Sequence, residues 1–188
     1  SRTASRRPSV PLRRALLFAF PPMELEMFRS FLLGAIAGAR AMTPLAAVSA
    51  AAKKRTLPAN NGGPALLASP VVAAGTKMLA AGELAGDKME TAPDRIVPPG
   101  MAARIISGAI AGASIAPRER RFLAAALGIA GAVGAAYVTF DLRMRAIRKY
   151  GQKPTGVVED ALVLGATHLT MKGATLPPAP PPAPKVPA

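Results

Sequence analysis

The stretch Ser30–Ala52 reads SFLLGAIAGARAMTPLAAVSAAA, and it decides the fold class because it is apolar almost throughout and carries one charge, Arg40, near its centre. A transmembrane helix needs about 20 consecutive apolar residues, so this stretch is long enough to cross a bilayer. A charge at the centre of a span costs at least about 2.5–3.5 kcal/mol, and such residues face a bundle interior, a cavity or a partner. We therefore predict a membrane helix in which Arg40 is buried against other protein segments.

The first apolar segment, residues 27–52, is followed by four others, at 65–86, 101–116, 122–140 and 156–171. Strands of a membrane barrel alternate apolar and polar residues, and these segments do not, so we predict helices. The predicted fold is all-α: an integral membrane bundle of four or five spans, packed through small residues. The segments 101–116 and 156–171 are short for a span, and either could instead be re-entrant or a buried helix.

The predicted membrane domain covers residues 27–172 and lies between two segments of different composition. Residues 1–26 are basic and predicted to be disordered, and residues 173–188 form a Pro-rich tail of extended, disordered type. The first 22 residues, rich in Arg and Ser and free of acids, resemble an organelle transit peptide. The alternative, which we prefer, is an extension ahead of Met23.

The net charge of +14 is distributed in short clusters between the apolar segments. Nucleic-acid binding needs basic residues gathered on one face, with aromatic side chains for stacking, so we do not expect nucleic acid as a partner. Clusters that flank apolar segments instead suit anionic lipid head groups, so the expected partner is the bilayer. The chain has no Cys, which excludes disulfides and a Cys nucleophile. Because it has no nucleophile elbow, Walker loop, HExxH or dinucleotide fingerprint, we predict no enzyme activity, cofactor or metal.

Arg40 shares a helix face with Thr43 and Pro44. Proline has no N–H to donate to the carbonyl of Arg40, four residues earlier, so a kink and a free carbonyl are predicted beside the charge. In lipid, these groups have to be satisfied by neighbouring helices or by water.

The second segment supplies predicted partners for Arg40. Glu83 and Asp87 are one helical turn apart on the same stripe, where two close carboxylates can hold a proton or a cation. We predict a midplane site in which Arg40 pairs with Glu83 and Asp87, with Arg104 as a further member. The additional candidates for this site are Lys77, Lys88, Glu159, Asp160 and His168. For His168, a ligand or proton-relay role stands against that of a hydrogen-bonded residue at the interface.

Small residues recur at four-residue spacing, which lets helix backbones approach closely in lipid. The pairs predicted to pack helices are Gly34 and Gly38, Gly82 and Gly86, and Gly108 and Gly112. They favour a tight bundle or a homo-oligomer. The sequence GAIAGA occurs at both 34–39 and 108–113, which is either an internal duplication of the kind found in transporters or a coincidence of an Ala/Gly-rich chain.

Four motifs carry a family resemblance: GARAMTPL at 38–45, GELAGDK at 82–88 followed by PDRIVPPG at 93–100, and VVEDAL at 157–162. On these motifs, in this order, the chain resembles the bacterial multi-pass membrane protein family catalogued as domain of unknown function 4126. The resemblance extends over about residues 27–171. It implies a helical integral membrane protein in the bacterial inner membrane, and it brings no established activity or ligand.

Two functions from different classes follow from these expectations. The first is a small transporter or permeation protein that uses the buried Arg/Glu/Asp site. The alternative is a structural or accessory subunit that packs against a larger membrane complex, with its charges serving only to set the register of the helices.

Overall fold

The structure is a computed structural model, and it describes residues 22–86 and 97–175. Within these ranges the chain is all-helical. The six α-helices are α1 (Pro22–Ala39), α2 (Met42–Lys53), α3 (Pro70–Gly86), α4 (Pro98–Ile115), α5 (Arg121–Tyr150) and α6 (Gln152–Ala174). Short 3₁₀ turns at Ala65–Ala68 and Arg118–Arg120 lead into α3 and α5. The all-α prediction is confirmed.

The first apolar segment is not one kinked helix, as predicted, but two helices that run in opposite directions. Ser30 of α1 bonds to the carbonyl of Gly112, and Gly38 accepts from Arg104, so α1 is antiparallel to α4. After the reversal, the hydroxyl of Ser107 donates to the carbonyl of Ala41, and the N–H of Gly62, in the loop that follows α2, donates to the carbonyl of Ala116. Helix α2 is therefore parallel to α4.

Pro44 supplies the physical reason for this reversal. It occupies the third position of α2, where a backbone N–H has no intrahelical partner and proline is tolerated. A helix continued from α1 would instead place the ring of Pro44 against the carbonyl of Arg40. The chain therefore ends one helix at Ala39 and starts another at Met42.

The remaining helices alternate in direction. We call the end of the bundle that carries residues 53–55 the KKR end. Helix α3 runs away from it, since Leu67 lies beside Ser49 and Glu83 lies beside Met42. Helix α5 also runs away from it, and α4 and α6 return to it.

Glycines bring α1, α4 and α5 into direct backbone contact. A Cβ atom on Gly34 would overlap the carbonyl oxygen of Gly128, and one on Gly108 would lie 2.7 Å from that same oxygen. A Cβ on Gly38 or Gly112 would also collide with the α5 backbone. Both GAIAGA copies therefore pack on one helix. The α5 surface on which they pack is the stretch LGIAGAVG, which contains Gly128 and Gly131. These two glycines were not among the predicted packing residues.

Gly82 and Gly86 do not take the predicted packing role within the part of the chain that the structure describes. Cβ atoms added to them would have no described atom within 4 Å. Helix α3 lies at the edge of the described bundle, where Gly82 is exposed and Gly86 is half-buried, so a packing role for them in a homo-oligomer stays a prediction.

Residues 141–154, which lie between the fourth and fifth apolar segments and are strongly basic, are mostly helix. Helix α5 continues to Tyr150, and Gly151, with a φ of +86°, makes the turn into α6. This extension places Arg143 on a helix, where it is buried.

One helical stretch, Arg118–Tyr150, is long and apolar enough to cross a membrane, judged by length and composition. Only 28% of its most apolar window is buried inside the protein, so its apolar side chains lie mainly on the outer surface. The described structure thus contains one candidate span by this criterion, fewer than the four or five predicted.

Candidate functional site: a charged layer at the helix reversal

Charged side chains converge where α1 ends and α2 begins, and we call this set the charged layer. Its members are Arg40, Glu83, Arg104, Arg143, Glu159 and Asp160. They come from the α1–α2 reversal and from α3, α4, α5 and α6, so five separate parts of the chain meet here.

Arg40 is fully buried, as predicted, but it does not pair with Glu83. Its Nη2 donates to Oδ1 of Asp160 and lies 3.9 Å from Oε2 of Glu159. Asp160 is also buried. The partner of the central arginine therefore comes from α6. The sequence could not reveal this, because 120 residues separate the two side chains.

Glu83 instead caps the start of α2. Its two carboxylate oxygens accept from the backbone N–H groups of Ala41, at 2.8 Å, and Met42, at 2.9 Å. The first N–H groups of a helix have no intrahelical acceptor, and a negative charge there also complements the helix dipole. The predicted Arg40–Glu83 pair is replaced because the reversal exposes these donors beside the carboxylate.

Arg104 caps the end of α1 in the complementary way. Its Nε donates to the carbonyl of Gly38 at 2.9 Å, and its Nη1 donates to the carbonyl of Gly100 at 2.8 Å. A cation suits the negative end of a helix, where the last carbonyls lack partners. Ser107 bonds to the carbonyl of Ala41, so the backbone on both sides of Arg40 is satisfied by side chains of α3 and α4.

Arg143 completes the layer and was not among the predicted site residues. Its Nη1 lies 2.5 Å from Oε2 of Glu159, and its side chain is 9% exposed. The basic cluster around it gave no signal, because an arginine at 143 looks like its exposed neighbours until the direction of α5 is known. Glu159 lies between Arg143 and Arg40 and therefore faces both cations.

The other predicted site residues have different positions. Asp87 and Lys88 lie outside the described residues, so their predicted roles stay predictions. Lys77 and His168 are exposed and line a cleft, described next, rather than the charged layer. Among the described residues, no three His, Asp or Glu side chains converge as a metal site requires.

A cleft and a cavity adjoin the charged layer. The cleft, of about 730 Å³, lies between α2, α3 and α6 and extends from Lys54 at the KKR end to Thr43 beside the reversal. The cavity, of about 260 Å³, lies between α5 and α6 and includes Arg143 and Glu159 in its wall. Arg40 is three residues from Thr43 in the cleft and adjacent to Ala39 in the cavity wall.

Thr43 has a distinctive environment at the inner end of the cleft. The residue is 5% exposed, and its Oγ1 has no hydrogen-bond partner in the part of the chain that the structure describes. Buried hydroxyls are normally hydrogen-bonded, so such an atom requires an explanation, for example a ligand or water that completes it. Thr167, which also lines the cleft, donates instead to the carbonyl of Val163 in its own helix.

Comparisons of this chain with protein-family models, with curated proteins and with solved structures found no match.

Proposed function

We propose that this chain is a multi-pass helical protein of the bacterial inner membrane that moves a small charged solute past the charged layer. The observation that carries the proposal is the helix reversal at Arg40, with buried charges around it, a cleft on one side and a cavity on the other. Discontinuous helices whose ends meet charged groups are the means by which many transporters build a solute site.

The distribution of polar and apolar side chains supports a membrane location. Large apolar residues are strongly exposed on the outside, for example Phe122 at 75% and Leu169 at 71%. The interior holds charged and hydroxyl side chains, among them Arg40 and Ser107 at 0%. A protein surrounded by water shows the opposite tendency, and large exposed apolar surfaces mark contact with lipid or with other proteins.

The reversal supports a function in transport because it interrupts the regular helix inside the protein, between Ala39 and Met42. Irregular backbone at membrane depth is tolerated where it is buried in protein or lines a water-filled cavity. Here Glu83 and Arg104 bind the two helix ends, and Thr43 brings to the inner end of the cleft a hydroxyl that has no partner among the described residues. Thr43 is three residues from Arg40 along the chain, so a solute that reaches it has come to the reversal.

We extend the proposal to family membership. Two of the motifs that resemble domain of unknown function 4126 supply residues of the charged layer: GARAMTPL contains Arg40, and GELAGDK contains Glu83. A third, VVEDAL, contains Glu159 and Asp160. The resemblance and the proposed site thus rest on the same side chains.

The test is flux into liposomes that contain the full chain, measured with labelled chloride, phosphate and short carboxylates. We expect Thr43→Val to lower flux at least about tenfold if its hydroxyl donates to the passing solute, the effect of one hydrogen bond to a charged group. Since this hydroxyl has no partner in the described ranges 22–86 and 97–175, the substitution removes no hydrogen bond that the structure describes. Thr167→Val, which removes a bonded hydroxyl of the same cleft, is the matched control and should leave flux nearly unchanged.

Two results would overturn the transport proposal. One is wild-type flux no greater than that of protein-free liposomes for every solute and for sodium and potassium ions. The other is equal flux in wild type, Thr43→Val and Glu83→Gln, with all three proteins folded by circular dichroism.

A structural subunit of a larger membrane complex is the second candidate, and one observation favours it. Each side chain of the charged layer is bonded to another group of the protein, as in a scaffold that uses ion pairs to fix helix register. This function predicts no flux, and it predicts that the chain migrates with other proteins when membranes are solubilised in mild detergent and separated on native gels.

A further inference from the structure

The cleft between α2, α3 and α6 has an unusual combination of side chains. Among the described residues, its ionisable lining is basic: Lys54, Lys77, His168 and Lys172. The rest of the described wall consists of six alanines, four threonines, two leucines and a methionine, with no carboxylate among them. A single ligand in the cleft could therefore contact both positive charge and apolar surface.

The lysines are available to a ligand. Among the described residues, no acceptor or ion-pair partner is seen for the side-chain ammonium groups of Lys54, Lys77 and Lys172, and all three residues are exposed. Ammonium groups that share one cleft without acids repel each other, and an anion bound between them relieves that repulsion.

The basic and apolar parts of the cleft are arranged along its length. Lys54 and Lys172 lie near the ends of α2 and α6, at the KKR end. Lys77 and His168 lie part-way along α3 and α6, and nearer the helix reversal the wall is formed by Ala46, Ala80 and Leu84 and ends at Thr43. A ligand that fits this order has an anionic head near the KKR end and an apolar body along the alanines of the wall, so the hydroxyl of Thr43 stays available to the charged group of a solute that moves further inward.

We propose that the cleft binds a single-chain anionic amphiphile, of the class of a medium-chain carboxylate. Its head group would accept from the lysines, and its chain would lie on the alanine wall. A volume of about 730 Å³ is in the range of about 300–1,000 Å³ that holds drug-sized ligands, which suits one acyl chain. The inference deepens the proposed function, on which it rests for the step past the charged layer, because it names the class of solute that the cleft admits.

Binding is tested apart from flux. The full chain in nanodiscs of neutral lipid is dialysed against labelled octanoate, with empty nanodiscs as the blank. We expect saturable binding of one octanoate per chain, displaced neither by octanol, which lacks the charge, nor by acetate, which lacks the chain. The double variant Lys54→Gln/Lys172→Gln should weaken binding by about tenfold or more, the effect of losing a charge-assisted hydrogen bond.

Two further variants test the apolar wall and control for the loss of a charge outside the cleft. Ala47→Phe fills the apolar wall without changing charge, and it should abolish binding. Lys153→Gln, at the opposite end of α6 and outside the cleft, is the matched control and should bind as wild type does.

The outcomes separate this inference from the proposed function. Displacement by octanol or acetate as effective as by octanoate itself, or unchanged binding in the lysine double variant, overturns the inference. Octanoate binding without flux of any solute overturns transport and leaves the inference standing. Flux of chloride or phosphate without octanoate binding does the reverse.

Discussion

Arg40 shows at the scale of one residue how a charge is kept inside an apolar segment. Its cost of burial is offset by Asp160 and, at 3.9 Å, by Glu159. Removing one partner from a buried ion pair leaves an uncompensated charge, which destabilises by about 3–5 kcal/mol. The pair therefore makes a sharp test of whether α6 holds the reversal in place.

We expect Asp160→Asn to lower the free energy of unfolding by about 3 kcal/mol or more, because it removes the charge of the buried carboxylate that accepts from Arg40. Unfolding by sodium dodecyl sulfate in mild-detergent micelles, followed by circular dichroism, measures the change. The control is Asp141→Asn, whose exposed pair with Arg145 at 2.7 Å is worth less than about 1 kcal/mol. Equal losses in the two variants would contradict the assigned pairing.

Arg55 is a second single-residue test, because its φ of +55° is a left-handed conformation that favours glycine. It follows the end of α2, where its N–H bonds to Ala52 and that of Thr56 bonds to Ala51, in the pattern of a Schellman cap. Backbone strain at this conformation destabilises the folded state by about 1–2 kcal/mol for a non-glycine residue. The greater loss of chain entropy on folding costs a glycine about 0.5–1 kcal/mol. Arg55→Gly should therefore raise the free energy of unfolding by about 0.5 kcal/mol.

The same unfolding measurement on Gly151→Ala provides the opposite case. Gly151 has a φ of +86° and a ψ of 167°, a backbone region adopted almost only by glycine, so an alanine there is strained and should lower stability by about 1–3 kcal/mol. A loss of stability in Arg55→Gly would show instead that the guanidinium of Arg55 makes a contribution larger than its backbone strain.

At the scale of elements, the helices α1, α4 and α5 are joined by backbone contact rather than by large side chains. Gly128 lies at the centre, since its own Cβ would overlap the carbonyl oxygen of Gly108 and since Gly34 packs on its other side. In a bilayer no hydrophobic force draws helices together and close packing of this kind associates them, so the contact fits the proposed membrane location.

Gly128→Ala should force these helices apart and lower the free energy of unfolding by about 1–3 kcal/mol, as overpacking does. Gly134→Ala is the matched control on the same helix, because no described atom lies within 4 Å of an added Cβ. That control should be neutral or more stable by up to about 1 kcal/mol, through helix propensity. Similar effects of both substitutions would rule out the three-helix contact.

At the scale of the whole molecule, the apolar exterior and charged interior make a prediction about location. We expect the protein to stay in the membrane pellet after alkaline carbonate washing and to enter solution only with detergent, because exposed residues such as Phe122 and Leu169 would otherwise meet water. Release by carbonate alone would overturn the membrane proposal and, with it, transport.

The amino-acid sequence by itself determined the helical class, the burial of Arg40 and the packing role of the two GAIAGA copies. These properties are local: apolar length, one charge in an apolar segment and glycine spacing follow from neighbouring residues. Pro44 also predicted an interruption of the helix beside Arg40, but it did not predict that the chain reverses direction there.

Only the tertiary structure decided which groups meet. The sequence favoured Glu83 as the partner of Arg40, but Glu83 binds the N–H groups of Ala41 and Met42, and Asp160 takes its place. The reason is that a reversal inside the bundle creates unpaired donors and acceptors whose nearest charged neighbours depend on the directions of α3, α4 and α6. Those directions are a property of the packed helices, and no spacing within a single segment contains them.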